Sequence, residues 1–275
     1  MPSPGISLVG FIGNQQDALK HLDNACIPSA GATDATLIAE WNAAQMARGA
    51  PIANAGNPDI QPLAAAQQPH AQQILAQPIF QTDWQGATVQ LVEIDPILAY
   101  QMTVDSNRSA QHCSAMSTPP TANDLMNCCL PLAPQQEDFK VFSGLTSIVI
   151  KARSLNLRHF AGYWNQNFMG IQFGVSIPYV HVVRYGGRCY LFNGYHRAVG
   201  VRLSGATHMP CIVRNVPDHS AVGLNPPDFF SQTLLQSQDP PTLGHFTQGR
   251  GYRVSLRQHS RILHISWAEH ALPDE

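Results

Sequence analysis

The pattern of apolar and polar positions predicts a strand–turn–strand–loop–helix–strand segment in the second half of the chain. Residues 179–184 (Tyr-Val-His-Val-Val-Arg) and 188–192 (Arg-Cys-Tyr-Leu-Phe) are rich in β-branched and aromatic residues, and a Tyr-Gly-Gly turn separates them. We expect these two strands to pair as a hairpin. A helix is predicted over 198–204, where Gly205 ends it, and residues 209–214 predict a further short strand.

Outside this segment the pattern predicts a mixture of short strands and helices. Thr33 offers an N-cap to a helix that runs to about Arg48, and Gly49 then ends the helix. The other expected elements are strands over 5–12 and 89–94, a helical turn over 97–102, a short helix over 123–130, a β-branched run at 148–150, and a hairpin of strands 252–256 and 261–267. Together these elements predict an α+β fold with a small mixed sheet.

Two stretches have two interpretations each. Residues 60–82 contain no charged residue and are rich in Gln and Ala with three prolines, which fits either a flexible linker or a helix over 67–77. Residues 156–167 carry aromatic residues at near-helical spacing. Such a cluster belongs either to a core or, beside Arg153 and Arg158, to a surface that stacks a nucleobase.

Charge is distributed unevenly along the 275 residues, although the net charge is only −2. Residues 139–217 contain nine basic residues and no acidic one, whereas residues 1–138 contain twelve acidic and three basic residues. A basic surface attracts anions such as nucleotides or nucleic acid. The alternative is that the two parts pack together and neutralise each other. Only 12% of all residues are charged and 44% are hydrophobic, so the chain has enough apolar residues for a sizeable core.

Several common sites and signals are absent from the sequence. None of the six cysteines forms a C-x-x-C pair, and the twelve histidines show no metal-ligand spacing. We expect Cys189 and Cys211 to face the core of the small sheet. No P-loop, G-x-S-x-G or helix-turn-helix signature is present. Because there is no signal peptide and no run of apolar residues long enough to span a bilayer, we expect a cytoplasmic protein without membrane contact.

The chemistry of the chain is concentrated in the loop between strand 188–192 and the helix that follows. It consists of Asn193, Gly194, Tyr195, His196 and Arg197. The first N–H groups of a helix lack intrahelical partners, and the helix dipole adds partial positive charge there. His196 and Arg197 add donors, and an arginine can hold two phosphate oxygens at once. We therefore predict a phosphate site that binds a nucleotide; alternatively, His196 only hydrogen-bonds the turn.

The order hairpin, Asn-Gly-Tyr-His-Arg loop, helix, glycine and strand resembles the ParB/sulfiredoxin-like superfamily over residues 175–216. A second likeness lies at 89–108, where Val-Gln-Leu-Val-Glu-Ile-Asp-Pro is similar to the first strand and turn of that family. The resemblance implies a nucleotide-binding domain that takes ATP or CTP with Mg²⁺, and in some members hydrolyses the nucleotide or transfers a phosphoryl group. Tyr195 stands where sulfiredoxin-type enzymes carry their reactive cysteine, which disfavours that chemistry.

A catalytic carboxylate for such a reaction has to come from outside residues 139–217. Phosphoryl transfer assisted by Mg²⁺ needs a carboxylate near the phosphates. Glu93, Asp95 and Asp105 are the best placed, since they lie in or near the strand at 89–94. The resemblance implies a base at Glu93, and we assign the catalytic roles to His196, Glu93 and Asp95. Each carboxylate also has a simpler interpretation as a solvated strand-end residue.

The predicted organisation has three parts. Residues 1–86 form an N-terminal extension, residues 87–216 form the nucleotide-binding domain with an insertion at about 109–170, and residues 217–275 form a loop-rich tail with a β-hairpin. Nucleotide binding is the first functional hypothesis. The alternatives are a nucleic-acid-binding or nuclease component that uses the basic 139–217 region, and a non-catalytic subunit of a homo-oligomer or larger complex.

Overall fold

The computed structural model describes residues 2–27, 32–81, 84–133, 139–152, 157–164, 169–175, 179–222, 230–257 and 260–268. The strands are β1 (Ser3–Ser7), β2 (Ile60–Gln61), β3 (Thr88–Glu93), β4 (Thr103–Asp105), β5 (Phe139–Ser143), β6 (Ser147–Ala152), β7 (Leu157–Trp164), β8 (Met169–Val175), β9 (His181–Tyr185), β10 (Arg188–Asn193), β11 (His208–Asn215), β12 (Tyr252–Leu256) and β13 (Arg261–Ser266). The helices are α1 (Gln15–Ala25), α2 (Asp34–Ala47), α3 (Gln68–Leu75), α4 (Pro78–Gln81), α5 (Ser106–Cys113), α6 (Ala122–Cys129), α7 (Tyr195–Leu203), α8 (Gln232–Leu235) and α9 (Leu243–Thr247). The predicted α+β class is confirmed.

The chain forms two units, of which the first comprises Met1–Leu132 and Tyr179–Arg257. It contains a three-stranded sheet in the order β12-β1-β4 and a five-stranded sheet in the order β10-β9-β11-β3-β2. The second unit comprises Ala133–Pro178 and Gln258–Glu275 and contains the sheets β13-β6-β5 and β7-β8. Among the described helices, none has both the length and the apolar character that a membrane crossing needs.

The five-stranded sheet contains the predicted hairpin and positions the loop. Strands β9 and β10 pair antiparallel, while β11 runs parallel to β9 and antiparallel to β3. Apolar side chains of these strands are almost fully buried, among them Val182, Tyr190, Leu191 and Ile212. Cys189 and Cys211 are 3% and 0% exposed, which confirms their predicted place in the core. Helix α7 connects β10 to β11, as the pattern predicted, but it begins at Tyr195 and not at 198, so Tyr195, His196 and Arg197 of the predicted loop form its first turn.

The N-terminal segment supplies the second sheet of the first unit. Strand β1 is shorter than predicted and is followed by a short 3₁₀ helix over Val9–Phe11, because residues 8–11 turn into the buried core instead of extending. Helix α2 has Thr33 as its N-cap and ends beside Arg48, as predicted. Of the two interpretations of residues 60–82, the helical one holds in part, since α3 covers Gln68–Leu75 after a 3₁₀ turn.

Two local predictions are wrong. Strands β12 and β13 do not form a hairpin, because β12 pairs with β1 in one unit and β13 pairs with β6 in the other. Residues 97–102 do not form a helical turn, and Leu98 instead makes bridges to Tyr190 and Thr242. In both cases a distant partner, which local periodicity does not encode, determines the structure. The aromatic residues within 157–164 lie in strand β7, which pairs with β8.

The second unit has its own small core. Ile150, Ala152 and Leu157 are buried at its centre, and Ile148, Phe173 and Leu263 pack against them. All five residues of β5 are exposed, including Phe139 at 50% and Phe142 at 54%.

Candidate functional site

The loop predicted to bind phosphate turns sharply at Gly194. This residue is the N-cap of α7 with a left-handed φ of 95°, and a Cβ added to it would lie 2.9 Å from the Val180 backbone. Glycine is therefore the residue that fits both the backbone conformation and the space. The Gly194 N–H donates to the side chain of Asn193 at 2.9 Å, which fixes the direction of the turn.

Tyr195 fastens this loop to the core. Its side chain is 4% exposed, and its hydroxyl oxygen accepts hydrogen bonds from the backbone N–H groups of Tyr100 at 2.9 Å and Gln101 at 3.2 Å. Burial raises the pKa of Tyr195 far above its ordinary value, and neighbouring Tyr100 adds to this. Tyr195 therefore holds the loop in place, which differs from its predicted role as a ligand contact.

Arg197 is a buried cation at the N-terminal end of α7. Only 2% of the residue is exposed, and within the described part of the chain neither Nη1 nor Nη2 has an acceptor. Likewise, no described residue accepts a hydrogen bond from the backbone N–H groups of Tyr195, His196 or Arg197. Burial lowers the pKa of Arg197. A guanidinium nevertheless stays protonated in proteins, so this end of α7 has a positive charge and unused donors.

Three cysteines surround this guanidinium, and we name Cys113, Cys128 and Cys129 the thiol cluster. The Sγ atoms of Cys113 and Cys128 are 3.7 Å apart. Helix α5 approaches α7 closely enough that a Cβ on Gly200 would lie 2.6 Å from the Cys113 Sγ. The three thiols are the neighbouring groups that act electrostatically on Arg197. The residue thus points toward α5 and α6.

His196 lies on the same end of α7 as an uncharged imidazole. Burial lowers its pKa to about 4, and the positive charge of Arg108 acts in the same direction. The ring lies 6.5 Å from that of His112, centroid to centroid, and burial also lowers the pKa of His112 to about 4. At neutral pH His196 therefore offers one N–H donor and one acceptor, and not a second cation.

The predicted carboxylates lie elsewhere. Asp95 accepts from Arg202 Nε at 3.0 and 3.1 Å and from Arg202 Nη2 at 3.0 Å, and it also accepts from Thr247 and Gln248. Arg202 is near the C-terminal end of α7, about 10 Å along the helix axis from its first residue. Glu93 pairs in register with His208, which is the first residue of β11 and follows the C-terminal end of α7. The Glu93 carboxylate accepts a hydrogen bond from the Asp59 N–H at 3.0 Å. The structure does not bring Glu93 or Asp95 to the loop.

Asp105 is the one of the three carboxylates that interacts with the loop. It caps α5 by accepting from the Arg108 N–H at 3.1 Å, it accepts from the Ser3 hydroxyl at 2.8 Å, and its charge acts on His196. Within the described residues no three His, Cys, Asp or Glu side chains form a metal-binding group. Mg²⁺ prefers oxygen ligands, whereas the groups around Arg197 are thiols and cations. This donor set does not fit Mg²⁺.

Sequence patterns did not reveal the thiol cluster. Cys113 ends α5, while Cys128 and Cys129 end α6, so their spacing matches no short motif. The one available signal is the adjacency of Cys128 and Cys129. Their approach to Arg197 depends on how three helices pack, and Gly200 permits that packing.

No protein-family model matches this chain, and neither a curated protein nor a solved structure matches it. The resemblance to the ParB/sulfiredoxin-like superfamily therefore rests on the loop and on the order of its flanking elements, and it stays a prediction.

Proposed function

We propose that the protein binds a phosphate-bearing ligand, specifically a nucleotide, at the Asn193–Arg197 loop. The observation that carries this proposal is the guanidinium of Arg197, which is 2% exposed and has no acceptor for Nη1 or Nη2 among the described residues. A buried charge without a hydrogen-bonded counter-ion is costly, so such groups usually have a specific anion. The adjacent N-terminus of α7 favours the same kind of ligand.

The proposed contacts follow from the donors at this end of α7. The N–H groups of residues 195–197 and the guanidinium would hold phosphate oxygens, and the neutral imidazole of His196 would donate one further hydrogen bond. Because Glu93 and Asp95 lie at the other end of α7, the proposal covers binding and not turnover. Whether the ligand is ATP or CTP depends on contacts to the base. The cytoplasmic location and the role as a subunit of a larger assembly stay predictions.

The test is a thermal-shift and calorimetry panel of ATP, CTP, GTP and inorganic phosphate, each with and without Mg²⁺. Wild type is compared with Arg197→Ala and with Arg253→Ala, which removes an exposed arginine of β12 as a matched control. A ligand that binds the native state raises the melting temperature. We expect Arg197→Ala to weaken binding by about 2–4 kcal/mol, the loss of a buried charge-assisted contact, and Arg253→Ala to bind like wild type. If no ligand in the panel binds wild type, the proposal fails.

A second candidate function concerns the second unit. Lys140 on β5 and Lys151 on β6 are exposed and directly opposite each other in register. Like charges at such positions repel. Phe142, 54% exposed, lies two residues from Lys140 and hence on the same face of the strand. Paired cations beside an exposed ring suit a single-stranded nucleic acid, whose phosphates and bases would contact them.

Binding of a fluorescent oligonucleotide at several salt concentrations tests this candidate. We expect the affinity of wild type for the oligonucleotide to fall as the salt concentration rises. At any one salt concentration, the Lys140→Ala and Lys151→Ala variants should bind more weakly than wild type, because each variant loses a phosphate contact. The control is Arg253→Ala, which removes one positive charge from the surface of the first unit and should bind the oligonucleotide like wild type. An affinity that does not depend on salt would reject this function.

A further inference from the structure

We propose that Cys113 and Cys128 are a redox-active dithiol that closes to a disulfide, with Arg197 as the cation beside the reactive sulfur. The two Sγ atoms are 3.7 Å apart, and a disulfide needs about 2.05 Å. Rotation of the two cysteine side chains can bring the sulfurs from the first distance to the second. Helices α5 and α6 therefore need not unfold for the disulfide to form. This inference does not depend on nucleotide binding.

The other cysteines of the first unit provide an internal comparison. Cys26, Cys189 and Cys211 are buried at 4%, 3% and 0% exposure. Burial raises the pKa of Cys26 to about 12 and that of Cys189 to about 11, so these thiols stay protonated and unreactive. They behave as small apolar residues of the core.

Cys128 is in a different environment. Its sulfur lies 3.7 Å from that of Cys113 and donates to the His112 carbonyl oxygen at 3.6 Å. The neighbouring thiols of Cys113 and Cys129, and then the charge of Arg197, lower the pKa of Cys128. A lowered pKa raises the fraction of the thiolate, which is the nucleophilic form. When it is ionised, the Cys128 sulfur also gives Arg197 an anion within the protein, and the five N–H donors of a guanidinium leave others for an external ligand.

Access distinguishes the roles of the two sulfurs. Cys113 is the last residue of α5 and is half-buried, whereas Cys128 is 9% exposed and Cys129 is fully buried. A small oxidant such as a hydroperoxide reaches Cys128 through the partly open side at Cys113. Cys129 is excluded as the partner, because adjacent cysteines close a strained ring and Cys129 has no exposed surface.

The reaction with a hydroperoxide balances in two steps. The Cys128 thiolate attacks one peroxide oxygen, the O–O bond breaks, and the leaving alkoxide or hydroxide takes a proton, which leaves a sulfenic acid on Cys128. The Cys113 sulfur then attacks the Cys128 sulfur, the S–S bond forms, the S–O bond breaks and water leaves with the Cys113 proton. The two thiols together lose two electrons and two hydrogens, and the hydroperoxide is reduced to an alcohol or water and one further water.

The experiment treats the reduced full-length protein with a limited amount of hydrogen peroxide and then maps its cysteines by mass spectrometry. We expect a linked pair of peptides that joins Cys113 to Cys128, the loss of two titratable thiols, and full reversal by a dithiol reductant. Cys113→Ser and Cys128→Ser should each abolish the linkage, while Cys189→Ala should retain it. Because the mapping on wild type needs no variant, it decides the proposal even if a serine variant does not fold.

A second measurement tests the role of Arg197 as a positioning residue. We expect Arg197→Met to slow oxidation of Cys128 about tenfold and to move the ultraviolet thiolate absorbance to higher pH, because the thiolate loses its neighbouring cation. The proposal is overturned if peroxide oxidises the six cysteines without preference, if Cys128 ends as a sulfinic acid with Cys113 still free, or if the cluster holds stoichiometric zinc.

Discussion

The two ends of α7 have arginines in opposite situations. Near the C-terminal end, Arg202 makes three hydrogen bonds to Asp95, and both side chains are partly exposed, at 28% and 17%. Near the N-terminal end, Arg197 is almost fully buried and has no acceptor for its terminal nitrogens among the described residues. Both arginines lie on the same nine-residue helix of the first unit.

This difference separates an arginine that has a structural partner from the arginine that we propose to bind a ligand. The pair of Arg202 and Asp95 ties the helix end to α9 through Thr247, so its contribution is to the stability of the fold. Among the described residues no carboxylate pairs with Arg197, and its electrostatic neighbours are the sulfurs of the thiol cluster. A fold rarely retains an unpaired buried guanidinium for packing alone, since apolar side chains of similar volume pack as well or better. The N-terminal end is therefore where binding and reactivity are expected.

The largest expected effect comes from replacing each arginine by methionine. We expect Arg202→Met to lower the free energy of unfolding by about 2–3 kcal/mol, because Asp95 loses its charged partner. Arg197→Met should lower the free energy of unfolding of the ligand-free protein by less than about 1 kcal/mol, because no acceptor among the described residues would be left unpaired and the Cys128 sulfur can take up a proton when its neighbouring cation is lost. Urea denaturation at neutral pH under reducing conditions measures both values.

The opposite ranking would break the comparison. If Arg197→Met destabilises the protein more than Arg202→Met, then Arg197 has a structural partner and its end of α7 is not the functional end. Methionine keeps much of the length of arginine at both positions, so the lost packing is similar in the two variants.

A smaller effect distinguishes the glycines that flank the helix. Gly194 and Gly205 have similar left-handed φ values of 95° and 100°. A Cβ on Gly194 would lie 2.9 Å from Val180, whereas a Cβ on Gly205 would meet nothing within 4 Å. We expect Gly205→Ala to cost about 1 kcal/mol from backbone strain alone and Gly194→Ala to cost about 2 kcal/mol, because it adds a steric clash.

Thermal or urea unfolding of the two alanine variants checks this prediction. Because the backbone strain is matched, the difference between the two costs measures how tightly the loop is held against Val180. Equal costs would mean that the loop moves away from Val180 at little cost, and a loop that moves in this way would not hold ligand donors in fixed positions.

The sequence predicted the surroundings of this site better than its interior. The strands β9, β10 and β11, the helix α7 and the turn at Gly194 follow from local alternation and turn residues, and the structure has all of them. Local patterns do not specify partners across long separations. The pairing of β13 with β6 and the ion pair of Asp95 with Arg202 depend on tertiary packing, and neither was predicted.

The thiol cluster beside the loop was not predicted for the same reason, since its cysteines come from elements that are distant in sequence from Arg197. The motif predicted that Arg197 would be available to a ligand, but not that α5 and α6 would bring three thiols beside it. Formal charges along the chain indicate only carboxylates as acidic groups. The groups that act electrostatically on the guanidinium are cysteine sulfurs, which formal charge counts omit.

The smallest effect concerns acid stability and the N-terminal end of α7. His196 has a folded pKa of about 4 against an ordinary value of 6.5, because burial and then the charge of Arg108 disfavour its protonated form. Above pH 6.5 the imidazole is neutral in both states, so it does not change stability. As the pH falls from 6.5 toward 4, the unfolded chain takes up the proton first, and the native state loses stability.

We therefore expect wild type to lose more stability than His196→Gln between pH 7 and pH 5, by about 1 kcal/mol after allowance for the partial exposure of the ring. Urea denaturation at the two pH values measures the difference, and Gly205→Ala, altered only at the other end of the helix, should follow wild type. His112 has the same lowered pKa and stays in both proteins, so a residual acid loss is expected in His196→Gln. If the variant and wild type lose stability equally, the N-terminal end of α7 is open to water. Its cation would then be screened, and the contrast with the paired Arg202 would lose its physical basis.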